Sequence, residues 1–157
     1  MRPHRGCRRE GQEDGGLAGV SDQAIKLGLC APERDLVEVL VTKVVIPGEA
    51  GVFEVRRDHT PLLTTLKTGV VAAKGTDGRE YHFAVTGGFA EILDNHVTIL
   101  GRTLEDADQI DLERAKAARE RAEQRLTKPG EDIDPARAEA SLERAIARLQ
   151  AQARQGY

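Results

Sequence analysis

Arginine residues recur in the last third of the chain, and their type and spacing could support ligand chemistry. Arg114 and Arg121 are seven residues apart and Arg144 and Arg148 are four apart, so each pair shares one side of a helix. Guanidinium groups that converge from two facing helices can hold a phosphate or a carboxylate through paired N–H donors. The alternative is a solvated surface, because acidic residues are interleaved with these arginines: Glu113, Glu120, Glu123, Glu139 and Glu143.

Histidines and cysteines do not form a pattern typical of a metal site. His59, His82 and His96 lack the short spacing at which metal ligands usually occur. Cys7 and Cys30 are too few for a four-ligand zinc site or a disulfide framework. The local pattern instead predicts that His82 lies on the open face of a strand and that His96 lies in or beside a turn. We therefore expect no metal site.

Signatures of nucleophilic or phosphate-loop chemistry are also missing. The glycines near Lys74 have the wrong spacing for a P-loop, and Gly87-Gly88 is more simply interpreted as a turn. Ser21 falls in a polar segment and Ser141 in a helical one, so neither occupies a nucleophile elbow. We therefore expect no catalytic residues, and we interpret the chain as a subunit or a binding module, not an enzyme.

Composition limits the classes to which the protein can belong. The 157 residues are 31% charged, with a formal net charge of −3. No apolar run approaches the roughly 20 residues that a membrane-spanning helix needs. The charge balance disfavours a globally basic nucleic-acid binder, so nucleic acid is not an expected partner. Aromatic residues make up only 3%, which predicts an aliphatic core.

Residues 1–22 contain no periodic apolar pattern. Arginines, acidic residues and glycines are mixed there, and such a composition buries too little apolar surface to offset the entropy of ordering. The segment also lacks the apolar centre of a secretory signal. The sequence therefore predicts a disordered leader over residues 1–22, ahead of the first domain.

Short stretches with a period of two fill residues 23–104. The first covers residues 25–29, and a run rich in β-branched residues follows over 36–46. Asp77-Gly78 and Asp94-Asn95 each separate two such stretches, which is typical of β-hairpins. This spacing predicts an antiparallel sandwich or barrel as the first folded domain.

Alanine, arginine and glutamate dominate residues 105–157, where valine is absent. The pattern predicts one helix from Asp108, as its N-cap, to Leu126, with Lys128-Pro129-Gly130 ending it. A second helix begins at Asp134-Pro135, with Asp as the N-cap and Pro as the first helical residue. Its predicted buried face consists of Ala138, Leu142, Ala145, Ile146, Leu149 and Ala153.

The two helices are joined by a short connection, which predicts an antiparallel hairpin. The predicted fold class is therefore α+β, with an N-terminal antiparallel β-sandwich followed by a C-terminal α-helical hairpin. The predicted domains are a leader over residues 1–22, the β-sandwich over 23–104 and the helical hairpin over 105–157.

Several short motifs follow one another in a fixed order along residues 24–154. They are Pro47-Gly48-Glu49-Ala50-Gly51, Asp58-His59-Thr60-Pro61-Leu62-Leu63, Val85-Thr86-Gly87-Gly88-Phe89-Ala90-Glu91, Val97-Thr98-Ile99-Leu100 and Ile110-Asp111-Leu112-Glu113-Arg114-Ala115. Taken together, their order and spacing resemble the epsilon subunit family of bacterial F-type ATP synthase. The last motif fits the family pattern of Ile or Leu followed by Asp-x-x-Arg-Ala.

The resemblance implies the architecture that the periodicity predicts, together with a role. Members of the family are non-catalytic subunits of the rotary central stalk that bind the gamma subunit and sit on the c-ring. They couple proton transport to ATP synthesis, and their C-terminal helices inhibit ATP hydrolysis by reaching a beta subunit. The resemblance places such a subunit peripherally, on the cytoplasmic face of the bacterial inner membrane, with residues 48–66 facing the c-ring or its junction with gamma. The chain departs from the family at Phe53 to Asp58, where the family usually has a shorter apolar segment ending in Pro-Gly.

The resemblance also implies a regulatory nucleotide site, although no cofactor is required. In several members the hairpin folds around one ATP, which contacts the Asp-x-x-Arg-Ala motif and further arginines. By position, the motif is matched here by Ile110, Asp111, Arg114 and Ala115. The other contact types are matched by Glu105, Arg121, Arg144 and Arg148.

Two other functions remain open on the sequence alone. One is a stand-alone nucleotide-sensing module with no rotary partner. The other is a small hydrolase, which the missing nucleophile and metal clusters disfavour. Copurification with a gamma subunit would separate the stalk subunit from both.

Overall fold

The computed structural model describes residues 23–127 and 134–155 of the chain. Within these ranges the strands are β1 (Ile25–Ala31), β2 (Arg34–Gly48), β3 (Gly51–Val55), β4 (Leu62–Leu66), β5 (Gly69–Gly75), β6 (Glu80–Val85), β7 (Gly88–Leu93), β8 (His96–Gly101) and β9 (Leu104–Asp106). A 3-10 helix, Ala107–Gln109, then leads into the helices α1 (Leu112–Thr127) and α2 (Pro135–Gln155). The predicted leader and the predicted helix stop at Lys128-Pro129-Gly130 lie outside the described residues.

The strands form a sheet that closes on itself before it continues. Hydrogen bonds join β1, β8, β7, β4 and β2 in that order, and β1 also pairs with β2. From β2 the sheet continues through β5, β6 and β9, and β3 pairs with β2. These pairings are antiparallel except the one between β1 and β8, which is parallel. The predicted fold class, α+β with a β-sandwich before a helical hairpin, is confirmed.

The core inside the strands is mainly aliphatic, as the composition predicts, and it also contains Phe83. Leu27, Leu29, Val41, Ile46 and Ile99 are all 0% exposed, and each lies on a strand. Successive side chains of a strand point to opposite faces, so the burial alternates wherever one face meets solvent. This alternation fixes the register of the strands, because a slip by one residue would expose the apolar set.

The two predicted hairpins are confirmed, and their turns explain the choice of residues. Asp94 and Asn95 have φ values of 48° and 62°, which a two-residue type I′ turn requires and which Asp and Asn tolerate better than most residues. At the other turn Gly78 has φ 83°, and the amide of Arg79 donates to Asp77 Oδ1 at 3.0 Å. Local chemistry therefore determines both chain reversals.

Strands β3 and β4 are not predicted by the periodicity. Only the last residue of each, Val55 and Leu66, is buried, and most of their other side chains meet solvent. Because these strands contribute little to the core, they lack the apolar alternation from which a strand is recognised. Their backbone hydrogen bonds to β2 and β7 define them instead.

The predicted N-cap of the first helix, Asp108, is wrong, because a 3-10 helix intervenes. Asp106 caps that short helix by accepting from the amide of Asp108 at 3.1 Å, and the chain then becomes extended at Ile110. Asp111 takes over as the cap of α1, where its Oδ1 accepts from the amide of Arg114 at 3.0 Å. The predicted cap of α2 is confirmed, since Asp134 Oδ1 accepts from the amide of Ala136 at 3.0 Å.

The predicted buried face of α2 is only partly correct. Ala138 and Ala145 are buried as predicted, and Leu142 and Leu149 are half-buried. Ile146 and Ala153 are exposed, in contrast to the prediction. The helix instead buries a second side, Ala147 and Ala151, because it packs against β5 and β6 as well as against α1.

The strand pattern predicts that His82 lies on an open face, and this prediction is wrong. His82 is 6% exposed, because the C-terminal end of α2 covers this side of β6. Its Nδ1 lies 3.1 Å from Gln155 Oε1, which satisfies the buried ring. His96 is next to a turn as predicted, and its Nδ1 lies 3.0 Å from the carbonyl oxygen of Asp94.

Candidate functional site

Residues of β9, α1 and α2 line a cavity of about 410 Å³, which is within the size range of small-ligand pockets. This cavity brings together seven of the eight residues that the sequence analysis selects: Glu105, Ile110, Asp111, Arg114, Ala115, Arg121 and Arg148. Gln109 and Ala118 also line the cavity and are missing from that selection. Gln109 directly precedes the motif and Ala118 lies one turn after Ala115, so their spacing could have suggested them.

The first turn of α1 borders the cavity, and the carboxylate of Asp111 already caps this end of the helix. Asp111 Oδ1 accepts from the amide of Arg114, so one of the unpaired amides of the helix end is satisfied within the chain. Arg114 and Arg121 project from the same side of α1, two turns apart. An anion in this cavity would therefore meet two guanidinium groups and the positive end of the helix, with Asp111 as a competitor.

Arg148 enters the cavity from α2, where it forms an ion pair with Glu105 of β9. Its Nε donates to the two carboxylate oxygens at 3.0 and 2.9 Å, and its Nη2 donates to Oε1 as well. The side chains are 30% and 38% exposed, respectively. These hydrogen bonds raise the pKa of Arg148, although partial burial acts in the opposite direction. The pair joins α2 to the last strand of the sheet.

The charges around the cavity leave a small positive excess. The lining contains three cations and only two carboxylates: Arg114, Arg121 and Arg148 against Glu105 and Asp111. A phosphate that binds to Arg148 must compete with Glu105 for the same N–H donors. The cavity can therefore accept an anion only if the guanidinium groups turn toward it or if Glu105 gives way.

Arg144, the eighth selected residue, does not line this cavity. It lies one turn before Arg148 on α2 and donates to Ser141 Oγ at 2.9 Å. It borders a different cleft, of about 640 Å³, together with the Gly87-Gly88 turn and Arg102. In this arrangement of the hairpin the four arginines do not act on one ligand together.

A second candidate surface is apolar and lies on the outside of the sheet. Leu63 of β4, Phe89 and Leu93 of β7 and Leu100 of β8 point outward, and we call these four side chains the apolar face. Their exposed fractions are 70%, 50%, 47% and 50%, in that order. Phe89 and Leu100 are direct cross-strand partners, so they form a continuous patch. Grouped large apolar side chains on a surface are typical of a protein-binding site.

Among residues 23–127 and 134–155, no group of three or more His, Cys, Asp or Glu side chains is placed to hold a metal ion. Within the same ranges, neither α-helix combines the length and the apolar character that a membrane crossing requires.

Comparison with known protein families gives matches to both halves of the chain. The family described as ATP synthase, Delta/Epsilon chain, beta-sandwich domain matches residues 24–107. The family described as ATP synthase, Delta/Epsilon chain, long alpha-helix domain matches residues 108–152. The two matches meet directly after the first residue of the 3-10 helix, Ala107.

Several relatives have similar sequences over most of their length. The ATP synthase epsilon chain of Desulforamulus reducens is 42% identical over 126 residues, which cover 80% of this chain and 95% of that one. The epsilon chain of Syntrophomonas wolfei is 38% identical over 135 residues, with coverages of 86% and 98%. The epsilon chain of Pelotomaculum thermopropionicum is 42% identical over 109 residues, with coverages of 69% and 81%.

Two solved structures have a similar fold. A chain in the Euglena gracilis mitochondrial ATP synthase, described as OSCP/F1/c-ring in rotational state 1, superposes with a TM-score of 0.68 at 25% identity. The match covers 86% of this chain and 85% of that chain. A chain in the central stalk and c-ring of the Tetrahymena thermophila enzyme gives a TM-score of 0.50 at 14% identity, with coverages of 84% and 96%. The second similarity concerns the fold alone.

Proposed function

The chain belongs to the delta/epsilon family of ATP synthase, as a stalk subunit of this complex rather than its catalytic one. From this premise we propose that it binds the gamma subunit and the c-ring, and that it couples proton transport to ATP synthesis. We further propose that its helical hairpin inhibits ATP hydrolysis by reaching a beta subunit. Its proposed location is peripheral, at the cytoplasmic face of the bacterial inner membrane.

The observation that carries the partner-binding part is the apolar face. Its four large side chains remain 47–70% exposed, while the interior of the sheet is filled by other residues. Large aliphatic and aromatic side chains in such a patch contribute most when a partner removes them from water, at about 25 cal/mol per Å². We assign this face to the gamma subunit.

The c-ring is assigned to the two exposed tips within residues 48–66, which are separate from Leu63 of the apolar face. Val52 in the hairpin of β2 and β3 is 72% exposed, and Thr60 and Pro61 in the following loop are exposed as well. The loop is held in place by Asp58, whose amide donates to Asn95 Oδ1 at 2.7 Å. A firmly held loop with exposed apolar tips suits a contact that must persist while the complex rotates.

The inhibitory part rests on how weakly α2 is attached. Its buried residues, Ala138, Ala145, Ala147 and Ala151, each bring only a methyl group into the interface. At about 0.8 kcal/mol per buried methyl-sized group, these four contribute about 3 kcal/mol in total, and the half-buried Leu142 and Leu149 add to this. The Arg148–Glu105 pair adds about 1 kcal/mol at most, because solvent reaches both side chains. Such a helix can leave the sheet and bind elsewhere.

ATP is the proposed ligand of the cavity between β9, α1 and α2. Bound there, it would join residues of α1 to Arg148 of α2 and so favour the compact hairpin over an extended one. Arg114 and Arg121 would contact the phosphates directly, and Arg148 would do so after it releases Glu105. Arg144 is outside this set unless α2 shifts.

Copurification tests the partner-binding part. A Phe89→Lys, Leu100→Lys double variant places two charges on the apolar face and should reduce recovery of the chain with gamma. Gln124→Lys adds a charge at an exposed position of α1 and serves as the control. Equal recovery of the double variant and the wild type, with native circular dichroism for both, would exclude this face as the gamma contact. If the wild-type chain is recovered without gamma, the stand-alone nucleotide-sensing module is favoured instead.

A further inference from the structure

A cleft of about 840 Å³ lies on the side of the sheet formed by β2 and β5 and by the loop after β3. It is lined by Gln23, Thr42, Lys43, Arg56, Arg57, Asp58 and Lys74. None of these residues lines the cavity at α1 and α2 or belongs to the apolar face. We call this region the basic cleft, because four of its seven residues are cations.

The basic cleft contains a pairing that the fold alone does not favour. Lys43 of β2 and Lys74 of β5 are direct cross-strand partners, so two ammonium groups project side by side from the same face. Like charges in such positions destabilise a sheet. A local conflict of this kind is expected where a ligand supplies the compensating charge.

Among the described residues, carboxylates lie close to three of these four cations. Glu54 lies 3.8 Å from Lys43 Nζ and accepts a hydrogen bond from Arg56 Nε, while Asp58 Oδ2 lies 3.8 Å from Arg57 Nε. The hydrogen bond from Arg56 lowers the pKa of Glu54 and keeps it ionised. Within the described residues, no carboxylate lies within 4.0 Å of the Lys74 ammonium group. Among the described residues, Lys74 is thus the cation of the cleft that lacks a carboxylate partner.

The loop that supplies the two arginines is held in place. Asp58 adopts a left-handed conformation, with φ 61°, and its amide and carboxylate both bond to the side chain of Asn95. On the opposite wall the Thr42 hydroxyl donates to the carbonyl oxygen of Lys74 at 3.2 Å, which ties β2 to β5. The cations therefore border a cleft whose walls are already positioned.

We propose that the basic cleft is a binding site for a phosphate group. Guanidinium groups match the geometry of phosphate oxygens, and the ammonium groups add point charges. The phosphate can come from a free phosphate compound or from an anionic lipid headgroup, since the same oxygens are recognised in both. This site is separate from the proposed ATP cavity and does not depend on it.

The test uses the full chain and two phosphate probes. Inorganic pyrophosphate is titrated into ¹⁵N-labelled protein, and the amides of Lys43, Arg56, Arg57 and Lys74 should shift. Sedimentation with phosphatidylglycerol vesicles, against phosphatidylcholine vesicles, measures the lipid source. Binding to pyrophosphate alone supports a free phosphate ligand, binding to vesicles alone supports a lipid headgroup, and either result supports the site.

Charge-removing variants make the test specific. Lys74→Gln should weaken phosphate binding by about fivefold or more, while its melting temperature should stay equal or rise, because the like-charge pair is gone. Lys67→Gln removes the same charge from an exposed position outside the cleft and should have little effect on binding. The proposal is overturned if neither probe binds or if Lys67→Gln weakens binding as much as Lys74→Gln. Pyrophosphate shifts confined to residues 105–121 would also overturn it, while leaving the ATP cavity intact.

Discussion

Replacing the two partners of the Glu105–Arg148 ion pair one at a time should change ATP binding in opposite directions. Arg148→Ala removes a donor for the phosphates, and a hydrogen bond to a charged group contributes about 1.5–3 kcal/mol. Because the Arg148 side chain is 30% exposed, we take the lower end of this range, about 1.5 kcal/mol, which corresponds to roughly tenfold weaker binding.

Glu105→Gln should instead strengthen binding. The carboxylate competes with phosphate for Arg148 Nε and Nη2, and it adds a negative charge to the cavity. Removing that charge also removes a half-exposed ion pair, which is worth about 0–1 kcal/mol. We therefore expect ATP binding to tighten by up to about fivefold.

Isothermal titration of the isolated subunit with ATP measures both effects. Circular dichroism and the melting temperature of each variant serve as the folding control. If both variants weaken binding, Glu105 accepts a hydrogen bond from the ligand and the competition argument is wrong. If neither variant changes the affinity, or if unmodified protein binds no ATP at millimolar concentration, the cavity is not the nucleotide site.

Three further predictions concern folding and ionisation. Gly88→Ala should lower the melting temperature severely, because a Cβ at this positive φ of 120° would overlap the carbonyl oxygen of Leu100; a normal thermal transition would contradict the described packing of β7 on β8. Asp134→Ala should cost about 1 kcal/mol in urea unfolding through loss of the α2 cap, and an unchanged midpoint would mean that the cap is not formed. Arg56→Ala should raise the pKa of Glu54 toward its ordinary value, measured by carboxyl NMR titration. Because the pKa of Glu54 is lowered in the folded state, this carboxylate stabilises the fold above its unfolded pKa, and that stabilisation is lost as the pH falls through the folded pKa. The Arg56→Ala variant should therefore lose less stability on acidification than the wild type.

Local sequence chemistry was enough to predict the chain reversals and the second helix. In these turns Asp94, Asn95 and Gly78 adopt the positive φ values that their residue types favour. The α2 cap forms at Asp134 as its sequence indicates. Each of these features depends on a few neighbouring residues, so no long-range information is needed.

Features that depend on tertiary packing could not be predicted in this way. His82 is buried only because α2, more than fifty residues later in the chain, covers β6. The second buried side of α2 exists because the helix packs on two neighbours at once, whereas a periodic pattern reports one face best. The strands β3 and β4 lack the pattern because they contribute little to the core.

The candidate site shows the same division. Seven of its residues were selected through the resemblance, and the described structure brings them to one cavity. Arg144 was selected with Arg148 because four residues separate them on a helix, but one turn is enough to place Arg144 at another cleft. Helical spacing gives the side of a helix, and only the packing of that helix gives the cavity that each side chain reaches.

The most direct test of the proposed regulatory role is the ATP hydrolysis rate of the assembled complex with and without the helical hairpin. A chain that ends at Asp106 retains all nine described strands and the apolar face. Its recovery with gamma should first be shown to equal that of the full chain. The account predicts that the complex with the shortened chain hydrolyses ATP faster than the complex with the full chain. An equal rate, with the shortened chain fully assembled, would contradict the proposal that the hairpin inhibits hydrolysis.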